Sequence, residues 1–404
     1  MLNIRENVLF NNSITNIEYH SYQSYSGGEL KHNDECRIII QQQDLLTVPS
    51  ESYLQIQGKL TKDGNTAVSD KVKLTNNFVA FLFEELRYEL GGVIVDRVKN
   101  PGITTSMKGY VSFTPNESVA LANASWTNFN NFNYDKNTGY FDICWPLSMI
   151  FGFAEDYKKV LLNLRQELVL IRSSEDLNCI CESTGVEKGK IQLLKIVWRM
   201  PHLTVSDYEK IKLLDIIEKN VPIPITHRRW EMFSYPMLQE SHIFTWILKA
   251  STFLEKPRFV IFGLQTDRRH NLRKQASHFD HNNLKNIKLY LNSQAYPYEN
   301  LSLDFRKSQF ALAYDMYTKF QRSYYFDRKS ICEPLLSKEQ FRDLAPLIVI
   351  DCSYQNEMIK QGAIDARLEF ETEGDIPPNT AAYCLVLHEQ FISYEPLTGR
   401  VRIL

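Results

Sequence analysis

The chain has 404 residues, with 46 lysines and arginines against 48 acidic residues and a formal net charge of −2. Near-neutrality excludes a whole-molecule field that would draw the chain onto nucleic acid, so any basic site is local. The length exceeds one ordinary core and suits about two domains of roughly 200 residues each, and 21 Tyr and 23 Phe supply side-chain volume for both.

The N-terminal MLNIRENVLFNNS has no uninterrupted apolar core and no small-residue cleavage pattern, and nowhere do about eighteen apolar residues run together. The expectation is a protein outside the usual secretory route. Its seven cysteines, odd in number and without framework spacing, suit reduced thiols in cytosol or nucleus. The first strong element is SYLQIQGKL (Ser52 to Leu60), where Leu54, Ile56 and Leu60 share one face and Tyr53, Gln55 and Gln57 the other, as in a half-buried strand. LRYELGGVIV follows, with Leu86, Tyr88 and Leu90 on one face and Gly91-Gly92 as a hairpin turn. The stretch from Arg97 to Gly139 has little periodicity and is rich in Asn, Ser and Thr; it reads as a long outward or inter-subunit loop, or as a disordered surface excursion. Asn116 and Asn123 lie in sequons that carry little weight without a signal peptide.

YFDIC (Tyr140 to Cys144) reads as a strand, and PLSMIFGFAEDYKKVLL as one or two helical turns after it. LRQELVLIRS (Leu164 to Ser173) and KIQLLKIVW (Lys190 to Trp198) are further strands. SDYEKIKLLDIIEKN (Ser206 to Asn220) is a helix with Ser206 as N-cap and Ile211, Leu214 and Ile217 along one side, stopped by Pro222 and Pro224. Beyond it the series repeats: RFVIFGLQT (Arg258 to Thr266), a hairpin IKLYLNSQAYPY turning at Asn292-Ser293, LIVIDCS (Leu347 to Ser353), DARLEFE with Ile364, Ala366, Leu368 and Phe370 on one face, and AAYCLVLHE (Ala381 to Glu389). LSKEQFRDL (Leu336 to Leu344) is a short helix with Ser337 capping and Gln340 at the capping-box position. Cys144, Cys352 and Cys384 lie inside strand signals and are expected in the core.

Five strand signals match five in order, which implies a duplicated unit: an all-β chain of two tandem eight-stranded jelly-roll sandwiches with a few short helices. The expected boundaries are 1–204 for the N-terminal roll, 205–225 for a linker with a short helix, and 226–404 for the C-terminal roll. The alternative at this level is one large irregular β domain.

The second half also carries longer text: HRRWEMFSYP (His227 to Pro236), EKPRFVIFGLQTDRRHN (Glu255 to Asn271), LKNIKLYLNSQAYPYENLSLDF (Leu284 to Phe305) and LAPLIVIDCSYQNE (Leu344 to Glu357), with PLSMIFGFAEDYKK (Pro146 to Lys159) before it. In these segments, in this order, the chain resembles the double jelly-roll major capsid proteins of Polinton/Maverick elements and adintovirus-like viruses, whose wider lineage includes the adenovirus hexon. The resemblance covers residues from about 140 to 400 well and the first hundred or so more loosely. It implies a homotrimeric, pseudo-hexagonal capsomer, an icosahedral shell around double-stranded DNA in the virion, and penton or minor capsid proteins as partners. It implies no enzyme activity, no cofactor and no small-molecule substrate. A host-retained jelly-roll pair that binds a glycan or protein ligand is the competing reading.

The remaining chemistry is local. Arg268, Arg269, Arg273 and Lys274, with His270 among them, form the densest basic cluster, expected to be a DNA-facing loop, an inter-capsomer salt-bridge donor or simply an exposed loop. Arg228 and Arg229 stand just before Trp230, a set that could stack on a base, but Trp230 is read as packing in the second roll or against the linker. His278, Asp280 and a distant His388 have the residue types of a non-haem iron triad but no diagnostic spacing. Cys179 and Cys181 lack a second pair for zinc. Nucleophile-elbow, P-loop and dinucleotide motifs are missing from the sequence.

Overall fold

The computed structural model describes residues 13–24, 30–41, 46–62, 68–69, 71–127, 134–182, 184, 187–248, 257–325, 333–354 and 365–404. The first roll contains β1 (Ile14–Tyr22), β2 (Glu35–Ile40), β3 (Tyr53–Thr61), β4 (Phe83–Leu90), β5 (Val93–Lys99), β6 (Tyr140–Pro146), β7 (Gln166–Arg172) and β8 (Lys190–Val205). One sheet runs β1-β8-β3-β6 and the other β2-β7-β4-β5, all pairs antiparallel. The second roll contains β9 (Ile223–Tyr235), β10 (Ile243–Ile247), β11 (Pro257–Thr266), β12 (Leu284–Leu291), β13 (Gln294–Tyr296), β14 (Ile348–Asp351), β15 (Ala366–Thr372) and β16 (Thr380–Glu395). Its sheets run β9-β16-β11-β14 and β10-β15-β12-β13, which is the first roll's order strand for strand, and a short β17 (Arg400–Ile403) adds to β16. The fold is therefore a double jelly roll, and each of the five pairings expected from the sequence joins equivalent strands.

Alternation explains why these segments form these sheets. In β3 every second residue is buried, and Leu54 stands opposite both Trp145 of β6 and Trp198 of β8, all three without solvent exposure. Burying side chains of this size stabilises by about 1.5–3 kcal/mol each or more. In the second roll Phe262 of β11 stands opposite Ile348 of β14 and Cys384 of β16, and it packs on Phe370 across the sandwich. The turns follow local chemistry: Gly91 and Gly92 have φ of 56° and 82°, and Asn292 takes the same left-handed region at 54°. Cys352 and Cys384 are buried, whereas Cys144 is only half-buried, because it sits on the outward face of β6 under residues 120–124.

The stretch expected to be a loop is largely helical. α1 (Pro101–Ser112) is buried at all twelve positions, and α2 (Pro115–Ala120) follows with a Thr114/Glu117 capping box. A helix enclosed on every side has no polar face and hence no 3.6-residue pattern to read. Gly102 and Gly109 permit the enclosure, since a Cβ at either would collide with Phe81 or Trp126. Residues 128–133 of the Asn-rich run, and Ile364, lie outside the described residues.

After β6 come a helical turn at Leu147–Ile150 and α3 (Gly152–Asp156). Between the rolls α4 (Asp207–Lys219) follows Ser206, whose side chain makes no capping hydrogen bond. The side bearing Ile211 and Leu214 faces solvent, and α4 buries none of its residues. α5 (Ala311–Tyr324) covers the outer face of the β9-β16-β11-β14 sheet, and α6 (Lys338–Leu344) starts on the Ser337/Gln340 capping box expected from sequence.

Candidate functional site

The two rolls meet along a seam that is both buried and polar. From the first roll come β5, α1, α3 and residues 175–182 and 184; from the second come β9, α5 and the loop after β11. Gly152 opens α3 directly against β9: a Cβ there would overlap the Arg228 carbonyl oxygen. That closeness lets Asp156 accept from the Arg228 backbone N–H at 2.7 Å and from its guanidinium at Nε (2.9 and 3.1 Å) and Nη2. Arg228 Nη1 donates to the Tyr324 carbonyl at 2.8 Å, and the guanidinium lies 3.6 Å from the centre of the Tyr324 ring. One planar fork thus ties α3, β9 and α5 together.

Lys108 of α1 completes the network. Its side chain is 2% exposed, with Nζ 2.7 Å from Glu155, 2.9 Å from the Ser148 carbonyl and over the Trp230 ring. Glu155 also accepts from the Tyr324 hydroxyl at 2.8 Å. Nearby, Tyr317 donates to the Tyr110 carbonyl at 2.9 Å and Gln321 to that of Phe113 at 2.8 Å, so α5 satisfies carbonyls at the end of α1. Burial raises the Tyr110 hydroxyl to about 12 and that of Tyr324 well above its ordinary value, with Glu155 adding to the latter. Both phenols stay protonated, Tyr324 donating to Glu155 and the Tyr110 hydroxyl accepting from the Asn76 amide at 3.5 Å. Trp230, which is 1% exposed, packs against Phe320 and Tyr324 of α5.

The basic cluster borders the same seam. Arg268 is held by Asp280 (2.6 and 2.7 Å) and the Gln275 carbonyl; Lys274 donates to the Thr266 carbonyl and lies 3.7 Å from Asp267. Arg273 donates to the Thr184 carbonyl at 3.2 Å, His270 pairs with Glu175, and the Glu182 N–H donates to the Leu272 carbonyl at 2.7 Å. These last three contacts cross from one roll to the other. Arg269 is exposed and lines a cleft of about 370 Å³ between the rolls with Glu84, Asn178 and Tyr383.

The triad residue types are not brought together. Asp280 bridges Leu264 near one end of β11 while His388 stands opposite Pro257 at the other, seven residues away, about 23 Å along a strand. Asp280 serves Arg268, and His388 lies 3.5 Å from Glu231. Among the described residues no group of three or more His, Cys, Asp or Glu could hold a metal ion. Cys179 and Cys181 are free, and burial raises both thiols.

Burial of several histidines, most strongly His202 and His278, is expected to make stability depend on pH. His202 faces Tyr22 and His20, and His278 faces Arg268 and Asp280; burial first, then the neighbouring positive charge, lowers each to about 4. In the unfolded chain they take up protons below about 6.5, whereas the folded chain resists until about 4, so the unfolded state binds more protons between these values. Stability is expected to fall as pH drops from about 6.5 to about 4 and to be insensitive to these groups above that window. Urea midpoints measured across it should show a smaller slope for His202→Gln/His278→Gln; an unchanged slope would refute the assignment.

Two sandwiches of identical strand order, fixed side by side within one chain, define the double jelly-roll class. Residues 72–392 match the double jelly roll-like domain family, and the chain belongs to it. Among solved structures, it is similar over 99% of its length to 98% of a chain of the PBCV-1 virus capsid (TM-score 0.62, 10% identity). It is similar over its full length to 91% of a chain of the Sputnik virophage (0.63, 9%) and to 92% of the mavirus major capsid protein (0.60, 10%). No curated protein sequence matches the chain.

Proposed function

We propose that this protein is a viral major capsid protein that trimerises into a pseudo-hexagonal capsomer and tiles an icosahedral shell around double-stranded DNA. The observation that carries this reading is the duplication: two rolls of one strand order in one chain give six like modules from three copies, so a three-fold object can fill a six-fold lattice position. The similarity to capsid chains over nearly their whole length supports it. The longer sequence segments favour the Polinton/Maverick and adintovirus-like branch, with the virion as location and penton or minor capsid proteins as partners. Of the basic loop, Arg269 is the residue this reading assigns to a neighbouring capsomer or, non-specifically, to packaged phosphate.

The test is solution mass by light scattering, with negative-stain imaging of the main peak. A mass three times the 47.2 kDa of the chain, with hexagonal outlines, is expected. A monomer across salt and concentration would overturn the reading and favour a ligand-binding pair of rolls.

A further inference from the structure

The capsomer reading leaves open which surfaces close the ring, and the seam inside the chain indicates them. There, the first roll offers β5 and the α3 segment after β6, and the second offers its first strand, β9. A ring of six rolls has only one other kind of seam, between the second roll of one copy and the first roll of the next. Repeating the internal seam there pairs the strand equivalent to β9, which is β1, with β13, which is equivalent to β5, and with Cys352 to Tyr354, which follow β14 as the start of the α3 stretch follows β6.

The exposed apolar side chains lie where this repetition puts them. β9 buries His227 and Trp230, whereas β1 is exposed along almost its whole length. Its pattern is also reversed for an isolated roll. By register Glu18 and His20 share the face of His202 and Met200, with side chains that stay 64% and 47% exposed, while Ile17 and Tyr19, both nearly half exposed, lie on the opposite face beside Leu203 and Pro201, Tyr19 against Tyr53. An apolar outer face on a first strand is what a covering partner requires. On the other side, Tyr298 just after β13 and Tyr354 just after β14 are each 88% exposed.

We infer that the outer face of β1, through Ile17 and Tyr19, is an intersubunit seam that receives the Tyr298 and Tyr354 edge of a second copy's second roll. The side chains brought together, Ile17 and Tyr19 against Tyr298 and Tyr354, are uncharged, so the contact is held by burial, unlike the ion-paired seam within the chain.

This inference rests on the capsomer reading, and the test separates the two. Wild-type protein is sized first: a monomer overturns the capsomer reading and the seam with it. Given a wild-type trimer, Ile17→Glu/Tyr19→Glu is expected to raise the concentration needed for trimer at least tenfold while leaving the circular dichroism spectrum intact. A trimer that is unaffected overturns the seam and leaves the capsomer reading standing. Should that variant fold poorly, Tyr19→Cys/Tyr298→Cys in the full chain, treated with a bismaleimide, gives the answer with conservative changes at exposed positions. Covalent dimers and trimers absent from either single variant are expected; a pattern equal to the single variants overturns the assignment.

Discussion

Arg228→Met is expected to destabilise the protein by about 3 kcal/mol, because removing one partner of a buried ion pair leaves the other charge uncompensated. Asp156 loses every guanidinium contact and keeps only the Arg228 backbone N–H, while its side chain stays 17% exposed. The Tyr324 ring and carbonyl lose their cation in the same step. Arg228→Lys should recover little, since an ammonium cannot fork between Asp156 and the Tyr324 carbonyl while lying flat on the ring. Denaturant unfolding measures the loss, and a value under about 1 kcal/mol would show that the seam is held by packing alone. The cycle with Asp156→Asn gives the coupling, expected to exceed about 1 kcal/mol for groups in direct contact.

Such a network fixes geometry more than it adds net stability. Lys108, Glu155, Asp156 and Arg228 are desolvated at a cost comparable to their mutual attraction, and well-packed apolar residues would often do as well. What the ions add here is direction: Asp156 and the Arg228 fork accept one relative placement of the rolls. In the proposed capsomer the angle between rolls decides whether three chains close a ring.

Much of the fold was legible because each half-buried strand in the middle of a roll writes its environment as alternation. β3, the β4–β5 hairpin, β6, β7 and β8 could be read this way, and so could their equivalents β11 to β16. The first two strands of each roll were not read from the sequence, although β2 does alternate, with Cys36, Ile38 and Ile40 buried against exposed Glu35 and Arg37. β1 is polar on the face it shares with His202 and Met200, and β10 alternates exposed and half-buried residues without a clean apolar side. α1 was missed for the opposite reason: enclosed all round, its GITTSMKGYVS carries glycine and β-branched residues that weigh against a helix, and tertiary burial overrode propensity.

The seam was harder still. Arg228 and Asp156 are 72 positions apart and Arg228 and Tyr324 are 96, and nothing local announces that they meet. Arg228 was visible only as a cation beside Trp230. A lone lysine among small and apolar residues at Lys108 was a signal available in the sequence, because a charge in such a setting needs a buried partner.

Gly152→Ala is expected to strike the same seam through the backbone. An added Cβ would overlap the Arg228 carbonyl oxygen and come within 2.8 Å of its carbon, and neither atom belongs to a side chain that can turn aside. β9 must move away from α3, or α3 from β5, where the Phe153 N–H donates to Asp96 at 3.1 Å. Overpacking of this kind costs about 1–3 kcal/mol. Because the strain falls on the contact between rolls, each roll's own sheets stay paired, so calorimetry should show a broader or more divided unfolding profile than that of wild type as the rolls part before they melt. Gly374→Ala is the matched control: nothing lies within 4 Å of its Cβ position, and the change should stay within about 0.5 kcal/mol of neutral. If Gly152→Ala melted at the wild-type midpoint in one transition, the close approach of α3 to β9 would not be what sets the angle between the rolls. If it shifts as expected, the proposed capsomer requires that the same variant yield less trimer than wild type, since rolls at the wrong angle cannot close a six-module ring.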